Sequence, residues 1–255
     1  MGHFRVKVRL DKLLVDRGLA PSRERAQALV LAGKILVDRQ KAPKPGTAVQ
    51  AEADLTLLGE DLPYVSRGGI KLAAALDHWK IAVQGRYGLD VGASTGGFTD
   101  CLLQRGAAGV LAIDTGYGQL DYRLRQDSRV TLRERTNARY LKASDIGARV
   151  DIIVMDVSFI SATLVLPAVW SAVREAGGEP VSPGRELVVL VKPQFEAGRE
   201  HVGKGGIVRD PAAQQLAVDK VVTCLRSLGA SALDCLESPI LGMEGNREFL
   251  VYGRL

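Results

Sequence analysis

The sequence predicts an α/β protein: an open, mostly parallel sheet covered by helices on both faces, preceded by a small α+β domain. Three observations predict it. From Tyr87 onward, short apolar runs alternate with helical patterns, as parallel strands and their crossover helices do. The stretch Leu89 to Asp100, LDVGASTGGFTD, is a strand that stops in small residues and opens into a helix. Charge, finally, is unevenly spread. Residues 1–50 hold 11 Lys and Arg against 4 Asp and Glu, whereas the remainder holds 23 against 25, so the net +5 resides in the first fifth of the chain. Such a basic segment suits a polyanionic partner, although solvated helix faces would look the same.

Taken in order, Leu10, Leu13, Leu14 and Leu19 set a first helical pattern that breaks at Gly18. Ser22 is placed to cap a second helix, carried by Ala26, Leu29 and Val30 to Gly33. A strand at 34–37, a turn around Pro43 to Gly46 and a strand at 54–57 complete a domain over 1–58, and 59–66 reads as a linker. The second domain spans 67–255. An alanine-rich helix over 70–79 buries Leu72, Ala75, Leu76 and Trp79, which turns Lys71 away, beside Ala75 and His78. Strands follow at 86–91, 110–114, 130–133, 150–155 and 187–191, with helices over 164–175 and from the Asp210-Pro211 cap to Leu228. Two closing strands, 233–236 and 249–252, read as a hairpin-like return. The Gly- and cation-rich segment 198–209 reads as a mobile loop near the site, or as a passive surface loop. No apolar run is long enough to cross a bilayer, and the N-terminus has no secretory or acylation signal. Cys101, Cys224 and Cys235 show neither metal spacing nor a disulfide pattern and read as reduced thiols of a cytoplasmic protein.

The turn at 92–97 matches neither familiar phosphate loop. Phe98 follows Gly97 where a nucleotide hydrolase needs Lys, and Ala93 and Ser94 interrupt the dinucleotide fingerprint. A tight turn that needs glycines only sterically is the plain alternative. The turn resembles the first motif of S-adenosylmethionine-dependent methyltransferases, in which the acid and the glycines hold the methionine end of the cofactor. Asp114, about twenty residues on and at a strand end, is placed for ribose hydroxyls; a turn or cap role is its alternative.

Four residues far apart in sequence draw notice: Lys71, Asp156, Lys192 and Glu248. Three of them end or adjoin strands, and ligands of open parallel sheets bind beyond the carboxyl ends of strands. A lysine straight after LVVLV has to find a partner or a cleft, and Asp156 after IIVM poses the same problem on what should be a neighbouring strand. The set resembles the Lys-Asp-Lys-Glu tetrad of FtsJ-like ribose 2′-O-methyltransferases. The strings VSRGGIKL, GYGQLDYRLRQD, TNARYL, MDVSFIS, LVKPQFE, GKGGIVRD and GNREFLVYGRL look like the TlyA, or hemolysin A-like, family. RLDKLLVDRGLAPSRERAQALVLAGKILVD is similar to the S4 RNA-binding domain over residues 8–57.

What the resemblance implies is a class I methyltransferase fold, its last strand antiparallel, which transfers methyl from S-adenosylmethionine to a cytidine ribose of ribosomal RNA. Lys192 would act as base or orient the hydroxyl, Asp156 and Glu248 would hold the two amines, and Lys71 would assist. Asp90, Gly92, Ser94, Thr95, Gly96, Gly97 and Phe98 would serve the methionine end, Asp114 the ribose and Asn137 the adenine. RNA would be gripped by shape through Arg9, Lys12, Arg23, Arg25, Lys34 and Arg67, in keeping with few aromatics in the first domain. The chain ends soon after Glu248, like the shorter family form linked to large-subunit RNA. No metal is implied, the partner is ribosomal RNA or a subunit rather than a membrane, and the rivals are a non-catalytic RNA-binding protein, a membrane-lytic protein and a nicotinamide-dependent oxidoreductase.

Overall fold

The computed structural model describes residues 7–31, 33–42, 44–57, 62–147, 149–177, 184–242 and 245–255. Pro43 and the first three residues of the expected linker, 59–61, lie outside them. The chain divides into two compact units, 1–61 and 62–255.

In the first unit, β1 (Lys7–Arg9) runs into α1 (Leu10–Asp16), and α2 (Arg23–Leu31) follows with the Ser22 hydroxyl accepting from Arg25 N–H at 3.2 Å. Then come β2 (Ile35–Val37), β3 (Gln40–Lys41), β4 (Ala48–Gln50) and β5 (Leu55–Leu57). β2 pairs antiparallel with β3 and β5, and β1 with β4. The β1–β4 pair was not expected: three residues are too few to display an alternating pattern. Leu10, Leu14, Ala26, Leu29 and Ile35 form the core.

The second unit opens with Tyr64 and Val65 already packed in it: Val65 N–H donates to the Asp100 carboxylate at 2.8 Å, and Tyr64 packs against the core. Residues 62–66 are therefore folded rather than linking. The elements are α3 (Gly68–His78), β6 (Tyr87–Val91), α4 (Gly97–Gln104), β7 (Gly109–Ile113), α5 (Tyr122–Gln126), β8 (Val130–Arg133), α6 (Ala143–Ile146) and β9 (Ile152–Met155). They continue with α7 (Leu166–Ala176), β10 (Glu186–Val191), α8 (Pro193–Glu196), α9 (Pro211–Ser227), β11 (Ser231–Glu237) and β12 (Phe249–Arg254). Seven strands make one sheet in the order β11-β12-β10-β9-β6-β7-β8, parallel except that β12 runs against both its neighbours.

Burial follows from position in that order. β9 and β10 are buried at every residue, because central strands are covered on both faces, whereas the edge strand β8 alternates half-buried and exposed. Successive side chains go to opposite faces. Ile153, Met155, Val189 and Val191 pack under α7 and α9, and Ile152, Val154, Val188 and Leu190 pack under α3 and α4. Gly92 turns the chain out of β6 at φ +88, and a Cβ there would lie 2.5 Å from Asp156 O, so only glycine lets the two loops meet.

Candidate active site

Sheet register brings distant residues to one edge. Met155 lies opposite both Val91 and Val189, and Val191 lies opposite Phe249. The residues just beyond these pairs are Gly92, Asp156, Lys192 and Glu248. Glu248 joins the set by preceding its strand, because β12 is antiparallel. Lys71 enters from the first turns of α3. All four charged side chains line one cavity of about 860 Å³, together with Gly92, Ser94, Thr95, Gly97 and Phe98. Its size suits a small-molecule or cofactor site.

The charges form two pairs. Lys71 Nζ bonds the Glu248 carboxylate, both groups being buried, so the side chain points into the cavity rather than beside His78. His78 is exposed and faces Asp234. Trp79, expected in the buried face, is half-buried, stacks on Tyr252 and donates to Asp234. Lys192 Nζ lies 2.6 Å from Asp156 Oδ1, an ion pair too oblique for a directed hydrogen bond, and donates to Ser158 Oγ at 2.7 Å. Sequence reasoning missed Ser158. The signal was there, since 156 and 158 fall on the same side of an extended chain.

A second cavity, of about 520 Å³, is lined by Asp114 and Asn137 and shares Gly92, Ser94, Asp156, Ser158 and Phe159 with the first. Asp114 is fixed by two backbone donors: Ser94 N–H reaches its Oδ2 at 2.8 Å, and Gly116 N–H its Oδ1 at 2.6 Å. Asn137 caps a short 3₁₀ turn by accepting from Arg139 N–H.

Two expected cofactor residues line neither cavity. Gly96, at φ +96, backs onto the core, where a Cβ would lie 2.8 Å from Leu120. Asp90 is fully buried and accepts from Thr99 Oγ1 at 2.7 Å, while its Oδ1 has no hydrogen-bond partner among the described residues. Burial first, then the Asp156 and Asp114 charges, push Asp90 up to about 7, against the opposing Thr99 bond. Burial likewise pushes the Cys101 thiol up to about 12, which leaves it unreactive.

Phe159 was also missed. It is 92% exposed, lines both cavities at φ +63, and lies 5.3 Å from the Phe195 ring. A non-glycine residue at positive φ costs about 1–2 kcal/mol, so its neighbours must hold it there. The expected mobile loop at 198–209 contributes Val202 and Gly206 to the first cavity. It is fastened by buried Asn246, which accepts from Val208 N–H at 2.9 Å and donates to Gly206 O at 2.8 Å.

Among the expected RNA contacts, Arg67 lines the first cavity and donates to Leu241 O at 2.5 Å. In the first unit, Arg9 and Arg23 converge on fully buried Asp11, at 2.7 and 3.2 Å, and Gln27 adds a third donor at 2.9 Å. The Arg9 bond above all holds the Asp11 carboxyl well below the usual range. Both guanidinium side chains stay more than half exposed. Lys12 is exposed, and Arg25 and Lys34 are half-buried. Among the described residues no cluster of three or more His, Cys, Asp or Glu could hold a metal.

Comparison with known proteins follows the same division. Residues 64–255 match the FtsJ-like methyltransferase family and residues 8–55 the S4 domain. The 16S/23S rRNA (cytidine-2′-O)-methyltransferase TlyA of Mycobacterium tuberculosis is 48% identical over 250 residues, covering 97% of this chain and 90% of that one. Hemolysin A of Brachyspira hyodysenteriae is 36% identical over 96% of this chain and 99% of its own length. A solved structure carrying a hemolysin name, from Streptococcus thermophilus, superposes with a TM-score of 0.72 at 40% identity, covering 98% of this chain and 89% of that one.

Proposed function

We propose that this chain, which belongs to the FtsJ-like methyltransferase family, methylates the 2′-hydroxyl of a cytidine in ribosomal RNA, with S-adenosylmethionine as donor. One observation carries the reading: two amines and two carboxylates from distant parts of the chain line a single cavity beside a glycine turn. The turn fits such a cofactor. Gly92 admits no Cβ, Asp114 offers a fixed carboxylate to ribose hydroxyls, and Asn137 borders the adjoining cavity. When bound, S-adenosylmethionine supplies a methyl already activated on sulfonium.

The protein then has to orient the hydroxyl and take its proton. Lys192 is proposed for both. Its nitrogen donates to Ser158 and stands beside the Asp156 carboxylate in an ion pair. The ribose oxygen would meet the same nitrogen, which is an N–H donor when the amine is charged and offers a lone pair when it is neutral. Lys192 would receive the proton that the ribose hydroxyl gives up as its oxygen becomes the methyl acceptor. Lys71, neutralised by Glu248, holds the opposite wall. Phe159 offers an aromatic face to the base.

Large-subunit RNA is the target we propose first, and the site of action is the cytoplasm, where ribosomes are made. The test is transfer of labelled methyl to hypomodified 50S and 30S subunits. Lys192→Ala should abolish transfer while calorimetric S-adenosylmethionine affinity stays within about threefold; loss of both assigns Lys192 to structure. Binding of rRNA without any turnover would favour a non-catalytic RNA-binding protein. Among the described residues no helix is long and apolar enough to cross a membrane, and dye release from liposomes by the pure protein would revive a lytic role.

A further inference from the structure

One buried acid takes no part in that chemistry. Glu196, four residues after Lys192, has only 3% of its side chain exposed, yet it belongs to the short helix α8 that walls the cavity. Its Oε1 accepts from Ala162 N–H at 2.6 Å and its Oε2 from Ser161 Oγ at 2.5 Å. Lys220 of α9 stands 3.4 Å from the same Oε2 and donates to Glu196 O at 3.1 Å. Burying a carboxylate is costly unless it is hydrogen-bonded and paired, and here both conditions are met.

The two segments that Glu196 joins are the ones that carry the chemistry. Residues 156–162 leave β9 and residues 192–196 leave its neighbour β10, and they are pinned at three levels. Nearest the sheet, Lys192 meets Asp156 and Ser158. Farther out, Phe195 packs on Phe159. Outermost, Glu196 holds Ser161 and Ala162. Between the first and last levels the chain passes through Phe159 at φ +63, a conformation that an unfastened loop would relax.

We propose that Glu196 is a positioning residue. It fastens the far end of the 156–162 loop and so fixes Asp156 and Ser158 against Lys192, and Phe159 at the mouth of the cavity. The inference rests on the methyltransferase reading above. Its reach is set by geometry: displacement of a reacting group by about 1 Å costs on the order of 100-fold in rate.

The experiment compares wild type, Glu196→Ala, Glu196→Gln and Ser161→Ala in the full chain. It measures kcat and KM for labelled methyl transfer to hypomodified rRNA, S-adenosylmethionine affinity by calorimetry, and the thermal midpoint. Glu196→Ala is expected to lower kcat by about 10- to 100-fold, with cofactor affinity within about threefold. Glu196→Gln, which keeps an acceptor oxygen, recovers most of the rate. Ser161→Ala reproduces part of the loss, and its effect does not add to that of Glu196→Ala. A kcat within twofold of wild type in Glu196→Ala overturns the proposal, as does a fall in cofactor affinity equal to the fall in kcat. Should Glu196→Ala fail to fold, Ser161→Ala decides: a kcat within twofold of wild type overturns the proposal, as does a fall in cofactor affinity equal to the fall in kcat. An inactive wild type defeats the methyltransferase reading itself, a result distinct from an active wild type with indifferent variants.

Discussion

Replacing Asp90 by asparagine should make the catalytic unit more stable in alkali and remove much of its response to pH. In the folded protein this carboxyl is pushed up to about 7 from an ordinary 3.8, chiefly because it is wholly buried. Below pH 3.8 it is protonated in both folded and unfolded chains and costs nothing. As pH rises from 3.8 toward 7, the unfolded chain releases the proton and the folded one retains it, so stability falls. Above 7 the penalty is complete. At 1.36 kcal/mol per pH unit the full penalty is about 4 kcal/mol, of which roughly 2.5 kcal/mol develops between pH 5 and pH 8. Asparagine carries no such term, and its carbonyl can keep the Thr99 bond. Its amide meets the place where Oδ1 has no partner, a cost of about 1–3 kcal/mol that is the same at every pH. The assay is urea denaturation of wild type and Asp90→Asn at pH 5, 6, 7 and 8. The variant's stability relative to wild type should climb by roughly 2.5 kcal/mol across that range. A difference that stays flat within 0.5 kcal/mol, or one that falls, would show that Asp90 is ionised in the fold.

Other outcomes follow from single contacts. Gly92→Ala places a Cβ against Asp156 O at φ +88, so it should cost at least about 1–3 kcal/mol in thermal denaturation and weaken cofactor binding. Phe159→Ala removes an exposed ring: stability should stay within about 0.5 kcal/mol, while KM for RNA rises by the equivalent of about 1–3 kcal/mol if the ring stacks on a base. Lys12→Ala with Lys34→Ala should weaken rRNA binding and reduce the slope of log K against log salt by about 2, read by filter binding from 50 to 300 mM salt. An unchanged slope would take both lysines out of the interface.

The order of strands was legible because periodicity and run length are local. LVVLV and IIVM are continuous apolar runs that only a doubly covered strand can hide, and their neighbouring positions place Lys192 near Asp156. Glu248 and Lys71 were legible only through family resemblance, because no local pattern tells that residues 177 apart touch. Depth was harder still. Asp90 and Gly96 belong to a motif associated with ligands, yet both face inward, since which side of a turn meets the cavity depends on the helices behind it. Phe159 escaped because a positive φ is signalled by glycine or asparagine, and this loop has neither at that position.

The antiparallel strand has a consequence for biosynthesis. Residues 249–254 slot between two partners made earlier, pairing with 186–191 on one side and 231–237 on the other. Until that segment has left the ribosome, two bare strand borders stand open, and Lys71 lacks its carboxylate. Competence thus arrives with the final insertion rather than growing as the chain lengthens. A nascent chain stalled short of residue 248 would hold nearly all of the apolar framework, an unpaired edge prone to sticking, and no assembled centre.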